Sequence, residues 1–93
     1  MDYSENMEKY TIPKYMKEGI LRYLEKGIRP GDFLTAVICN DLRGALAHAD
    51  DINIVLLPNY VRYFNWEAPS ECWGSPEKMK KWILKRRAEN ESK

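Results

Sequence analysis

Ninety-three residues, 44% of them apolar and 31% charged, specify one small soluble domain. A formal charge of +1 argues against a dedicated nucleic-acid binder, which carries a basic excess. A chain this short buries only about 60–65% of its unfolded surface, so function is expected on the surface or between associated chains.

Residues 1–11 are polar and show no clear period, and they are expected to fray. Ile12-Pro13 then opens a helix, because proline suits the first turn. Met16, Ile20, Tyr23 and Leu24 come next at i, i+4, i+7 and i+8, one helical face. Gly27 is a natural stop, so the first helix is predicted over 13–26. Arg29-Pro30-Gly31-Asp32 reads as a turn, with Asp32 as the N-cap of the second helix. Phe33, Leu34, Val37, Ile38, Leu42, Ala45 and Leu46 repeat at helical spacing and predict a buried helix over 33–48. Asp50-Asp51 offers the next cap. Ile52, Val55, Leu56, Asn59, Tyr60, Tyr63 and Phe64 predict a helix over 51–66. Pro58 falls inside it and invites a kink, while the apolar stripe keeps its phase across the ring. Residues 68–74 read as a loop. Ser75-Pro76 restarts a helix over 76–90, with Met79, Trp82 and Ile83 inward. The pattern is all-α: a small helical bundle built on a long antiparallel hairpin, forming one domain over 1–93.

Charge is uneven along the chain. Residues 77–93 carry a net +4 and residues 1–76 a net −3. No apolar run approaches the ~20 residues of a membrane span, and the first residues lack the pattern of a signal peptide. A cytosolic protein is expected. Two cysteines, Cys39 and Cys72, and one histidine, His48, cannot supply the four ligands of a structural zinc site. Both cysteines read as small buried apolar residues.

Catalytic signatures are missing from the sequence: there is no glycine-rich phosphate loop, no HExxH and no nucleophile elbow. Cys39 and His48 would lie about 13 Å apart along one continuous helix, too far for a thiolate–imidazole pair. A non-enzyme without metal or cofactor is expected. The aromatic residues point elsewhere. Tyr15 lies off the Met16–Ile20–Tyr23–Leu24 line, beside Lys14 and two to three turns from Arg22 and Lys26. An open tyrosine among cations can stack on a nucleobase while the cations meet phosphate.

The ordered set Ile12-Pro13-x-Tyr15, Tyr23, Pro30-Gly31-Asp32-Phe33-Leu34-Thr35-Ala36-Val37, Asn40-Asp41-Leu42, Ala49-Asp50-Asp51-x-Asn53, Tyr60-Val61-x-Tyr63 and Pro69-Ser70-x-Cys72-Trp73-Gly74-Ser75-Pro76 resembles the small phage anti-CBASS proteins. These are cyclic-nucleotide sponges that share a helical-hairpin domain with an anti-Thoeris relative. The resemblance covers about residues 12–84. It implies a homo-oligomer, typically a hexamer, in the host bacterial cytoplasm. It further implies that cyclic dinucleotides such as cyclic GMP–AMP are bound between protomers and left uncleaved, with Tyr15 stacking on a base. For cyclic trinucleotides it implies a second pocket at Arg29, Pro30, Gly31 and Asp32 with Glu71 and Trp73 of the later loop. The chain departs from the family pattern at Pro30, Asp32 and Glu71. The competing reading is a helical protein-interaction inhibitor that docks on a host protein through its basic last helix. A DNA-binding bundle is a third, weaker reading.

Overall fold

A computed structural model describes residues 3–91. Five α-helices occur in order: α1 (Lys14–Lys26), α2 (Asp32–Ile38), α3 (Leu42–His48), α4 (Asp51–Glu67) and α5 (Pro76–Glu91). Single 3-10 turns occupy Glu8–Tyr10 and Ser70–Cys72, and no strand occurs among the described residues. The chain is all-α, as its periodicity predicts. No described helix is long and apolar enough to cross a membrane.

The first helix begins after Pro13, whose extended backbone sets the entry. It stops at Gly27, which adopts φ +67° and turns its N–H to the Tyr23 carbonyl. The stop is also a contact. A Cβ at Gly27 would come within 2.7 Å of the Ile83 carbonyl oxygen on α5. Gly27→Ala is therefore expected to destabilise the chain by more than the ~1–2 kcal/mol that a left-handed residue costs. A thermal melt measures it; an unchanged midpoint would mean that α5 can move aside.

The single helix predicted over 33–48 is two helices. Asn40 adopts the left-handed conformation at φ 60°, which asparagine tolerates better than most residues. The Asp41 N–H folds back to the Ala36 carbonyl at 2.8 Å and closes α2. The Asp41 carboxylate then accepts the Gly44 N–H at 3.0 Å and starts α3. The corner turns Leu42, 65% exposed, and Leu46 out of the core that the periodicity assigns them. Asp32 is the first residue of α2 rather than its cap; Gly31 takes the cap position.

The stretch expected to fray is docked from residue 3 onward; residues 1 and 2 lie outside the described part. Met7, Tyr10 and Ile12 are buried. The Tyr10 ring meets Tyr63 edge-on at 5.9 Å, and its hydroxyl donates to Glu67 at 3.2 Å. Asn59 donates to the Tyr10 carbonyl at 2.9 Å, and the Tyr63 hydroxyl to the Tyr3 carbonyl at 2.9 Å. A one-turn 3-10 segment has no helical period to display, so composition alone suggests disorder.

Asp50 caps α4 by accepting the Asn53 N–H at 2.7 Å. The helix runs unbroken through Pro58, whose exposed side leaves water access to the carbonyl that the ring cannot pair. Ser75 caps α5 through the Lys78 N–H at 3.1 Å. α5 then covers α1. The Trp82 indole donates to the Tyr23 carbonyl at 3.2 Å, Arg86 to Leu24 at 2.9 Å and Arg87 to Gly27 at 3.3 Å. Part of the basic helix thus satisfies the carbonyls at the end of α1. Tyr23 also donates its hydroxyl to the Cys72 carbonyl at 2.6 Å and ties in the loop before α5. Tyr60, Tyr63, Phe64, Ile20 and Leu24 complete the fully buried centre, and no described buried polar side-chain atom lacks a partner.

Candidate ligand groove

Tyr15 and Arg22 lie seven residues apart on α1, about two turns, and so share a face. That face meets the start of α2 and the α3–α4 corner around an open groove of about 450 Å³. Its apolar floor is Met16, Phe33 and Leu34. Gly31 and Asp32 at the start of α2, and His48, Asp50 and Asn53 of the α3–α4 corner, also line it. Tyr15 is 56% exposed.

A single hydrogen bond aims the ring. The Tyr15 hydroxyl donates to the Asp50 carboxylate at 2.7 Å, while the same carboxylate caps α4. The Asn53 N–H, and then the Tyr15 hydroxyl, hold the Asp50 carboxyl below the ordinary aspartate range. The bond to Asp50 in turn raises the Tyr15 phenol. One turn further along α4, buried Asn53 accepts the Tyr60 hydroxyl at 2.6 Å. Burial pushes that phenol up.

The sign of the Asp50 shift fixes a pH dependence. A carboxyl depressed in the folded chain contributes stability that is present above its unfolded value, about 3.9, and lost as pH falls through the folded value. Melting temperature is expected to fall below about pH 4, and less steeply in Asp50→Asn, which keeps a capping side chain. Parallel acid limbs for the two proteins would exclude Asp50 as a source.

The structure gathers four of the residues singled out in the sequence, Tyr15, Arg22, Gly31 and Asp32, around one groove. The rest are dispersed. Lys14 is exposed at the start of α1 and does not line the groove. Lys26 borders a shallow depression with Arg87 and Asn90. Arg29 lies 4.0 Å from Asp32 and faces grooves beside α5. Pro30 is buried, and its carbonyl accepts the Thr35 hydroxyl at 3.1 Å. Glu71 pairs with Lys85 at 3.2 Å in a different depression, walled by Lys78, Lys81 and Trp82. Trp73 is half-buried, 6.0 Å from the Phe64 ring. Neither the groove at Tyr15 nor the two beside Arg29 is lined by Glu71 or Trp73.

Three residues that line the groove are not among the predicted binding residues: in the sequence Asp50 and Asn53 read as a cap and as part of the family pattern, and His48 only as a rejected partner of Cys39. The i, i+3 spacing of Asp50 and Asn53 was the available signal.

The corner at Asn40 also changes the relation of Cys39 to His48. The two no longer share a helix, and they border one groove of about 290 Å³ with Asp41 and Asp32. The thiol is poorly suited to nucleophilic work. Burial raises it, and it points its proton at the Met79 sulfur, 3.6 Å away. Cys72 is fully buried and pushed up to about 12 by burial. Among the described residues no three His, Cys, Asp or Glu side chains cluster for a metal ion. No family model, no curated protein and no solved structure matches this chain.

Proposed function

We propose that this protein is a non-enzymatic sponge. It captures cyclic dinucleotides, and through them blunts a bacterial antiphage signal in the host cytoplasm. One observation carries the reading: an open Tyr15 ring held at the mouth of an apolar-floored groove by its bond to Asp50. A ring held by its hydroxyl offers a face for stacking without first losing rotamer freedom. Met16, Phe33 and Leu34 receive the base, and Asn53 and Asp50 offer polar edges to it. Arg22 and His48 stand where phosphate oxygens can reach them.

The groove's carboxylates are already engaged. Asp50 accepts from Tyr15 and Asn53, and Asp32 faces Arg29. Arg22 is tied to Glu18 only by an exposed pair at 3.6 Å, a contact of little energy that a phosphate can displace. Capture without cleavage needs this affinity and no tuned acid or base. Nanomolar binding requires about −12 kcal/mol, more than one open groove on one small chain supplies, so the sponge acts as a homo-oligomer, a hexamer by its resemblance to the anti-CBASS sponges. The trinucleotide pocket would need Glu71 and Trp73 to meet the Arg29–Asp32 turn across chains.

Calorimetry with a panel of cyclic di- and trinucleotides, cyclic GMP–AMP among them, tests the reading. Sub-micromolar binding with the ligand recovered unchanged by chromatography supports it. Absence of binding to every member, or linearised product formed in proportion to protein, overturns it.

A further inference from the structure

Helix α4 is apolar on both sides. Leu57, Tyr60, Tyr63 and Phe64 fill the core, yet Val55 on the opposite side is 74% exposed, and Ile54, Val61 and Trp66 are open with it. Open apolar side chains gathered on one helix face mark a surface that another molecule can cover. The outward residues are ordered. Asp51, Val55, Pro58 and Arg62 stand at i, i+4, i+7 and i+11, the spacing of a helix–helix seam, and all four are exposed. Ile54 and Val61 flank the row on one side; Ile52 and Trp66 flank it on the other.

The row is complementary to itself when reversed. A second copy laid antiparallel, with a two-fold axis between Leu56 and Leu57, brings Asp51 to the partner's Arg62. It brings Arg62 to the partner's Asp51 and Val55 to the partner's Pro58. Within one chain, neither Asp51 nor Arg62 makes an ion pair among the described residues; Arg62 only lies over the Tyr10 ring at 5.6 Å. The exposed fractions of Ile52, Ile54, Val55, Val61 and Trp66 leave roughly 500 Å² of open apolar area per chain, in the upper part of the ~300–600 Å² range for the largest patch on a monomer. Doubled across the two-fold it reaches about 1,000 Å², the least expected of a specific interface and short of the ~1,200–2,000 Å² of strong ones.

We propose that the outer face of α4 is a two-fold interface between copies of this chain, closed at each end by an Asp51–Arg62 pair. The interface does not depend on what the groove binds, and it specifies a surface where the sponge reading asks only for an oligomer.

Sedimentation velocity at about 50 µM tests it. The parent should be oligomeric with an even number of chains, and Val55→Glu should halve its mass. That position is exposed and glutamate is a better helix former than valine, so circular dichroism should be unchanged. The reciprocal pairs allow a second test that stands even if Val55→Glu fails to fold. Asp51→Arg and Arg62→Asp should each weaken assembly at least tenfold, because each sets like charges together. The doubly swapped chain should recover to within about threefold of the parent. A monomeric parent, a Val55→Glu mass that is not half the parent's, or a double swap no better than the single ones would overturn the interface.

Discussion

Tyr15→Ala should weaken the capture of cyclic dinucleotides by about thirtyfold to ten-thousandfold if two symmetry-related rings sandwich one ligand. That range comes from one stacking face lost per chain, at about 1–3 kcal/mol per base. The assembly and fold should survive, because the side chain is more than half exposed and lies outside the buried core. Tyr15→Phe separates two effects. It keeps the stacking face and removes the bond to Asp50, so the ring is free to turn. A loss of a few fold in Tyr15→Phe, against a large loss in Tyr15→Ala, is the expected pattern in calorimetry. Equal losses would mean that the hydroxyl itself meets the ligand. Parent-like binding by Tyr15→Ala would remove the groove from consideration.

The largest expected effect on stability is at Phe64. Its side chain is fully buried, edge-on to Tyr63 at 5.6 Å and tilted against Trp73 at 6.0 Å. Phe64→Ala should cost about 3–5 kcal/mol, because the removed ring leaves a cavity walled by rings that cannot collapse into it. For a domain of this size each kcal/mol lowers the melting midpoint by roughly 4–8 °C, so the midpoint should fall by roughly 12–40 °C. Phe64→Leu refills part of the volume and should lose less than half as much. Urea denaturation of both variants measures the difference. A small loss in Phe64→Ala would mean that Trp73 swings inward to fill the space.

The legible parts of this chain are those where local chemistry and the fold agree. Gly27, Asp50 and Ser75 mark helix ends by their own conformational and hydrogen-bonding preferences, and each serves where it was expected. The break at residues 39–41 was hidden because Leu42, Ala45 and Leu46 keep the phase of the preceding stripe. Of these only Ala45 is buried. Asn40-Asp41 carried the signal, a residue that tolerates the left-handed turn and then a residue that caps. The N-terminal segment was hidden for another reason. It is held by burial of Met7, Tyr10 and Ile12 and by the contacts of Tyr10 with α4, a tertiary fit that no periodicity records. In the groove, Tyr15 stood out because it leaves the apolar line of its helix. Asp50 did not, because a carboxylate that caps a helix looks the same in sequence whether or not a distant tyrosine uses it.

The closure of α1 by α5 also sets a timetable. Trp82 reaches Tyr23 across 59 residues. A ribosome adding about 5–20 residues per second needs roughly 3–12 s to travel from one to the other. Through that interval the α5 side of α1 is made but uncovered, and the carbonyls at the end of α1 await Arg86 and Arg87. The chain is therefore most open to chaperones, proteases and its own nascent neighbours just before its last helix emerges.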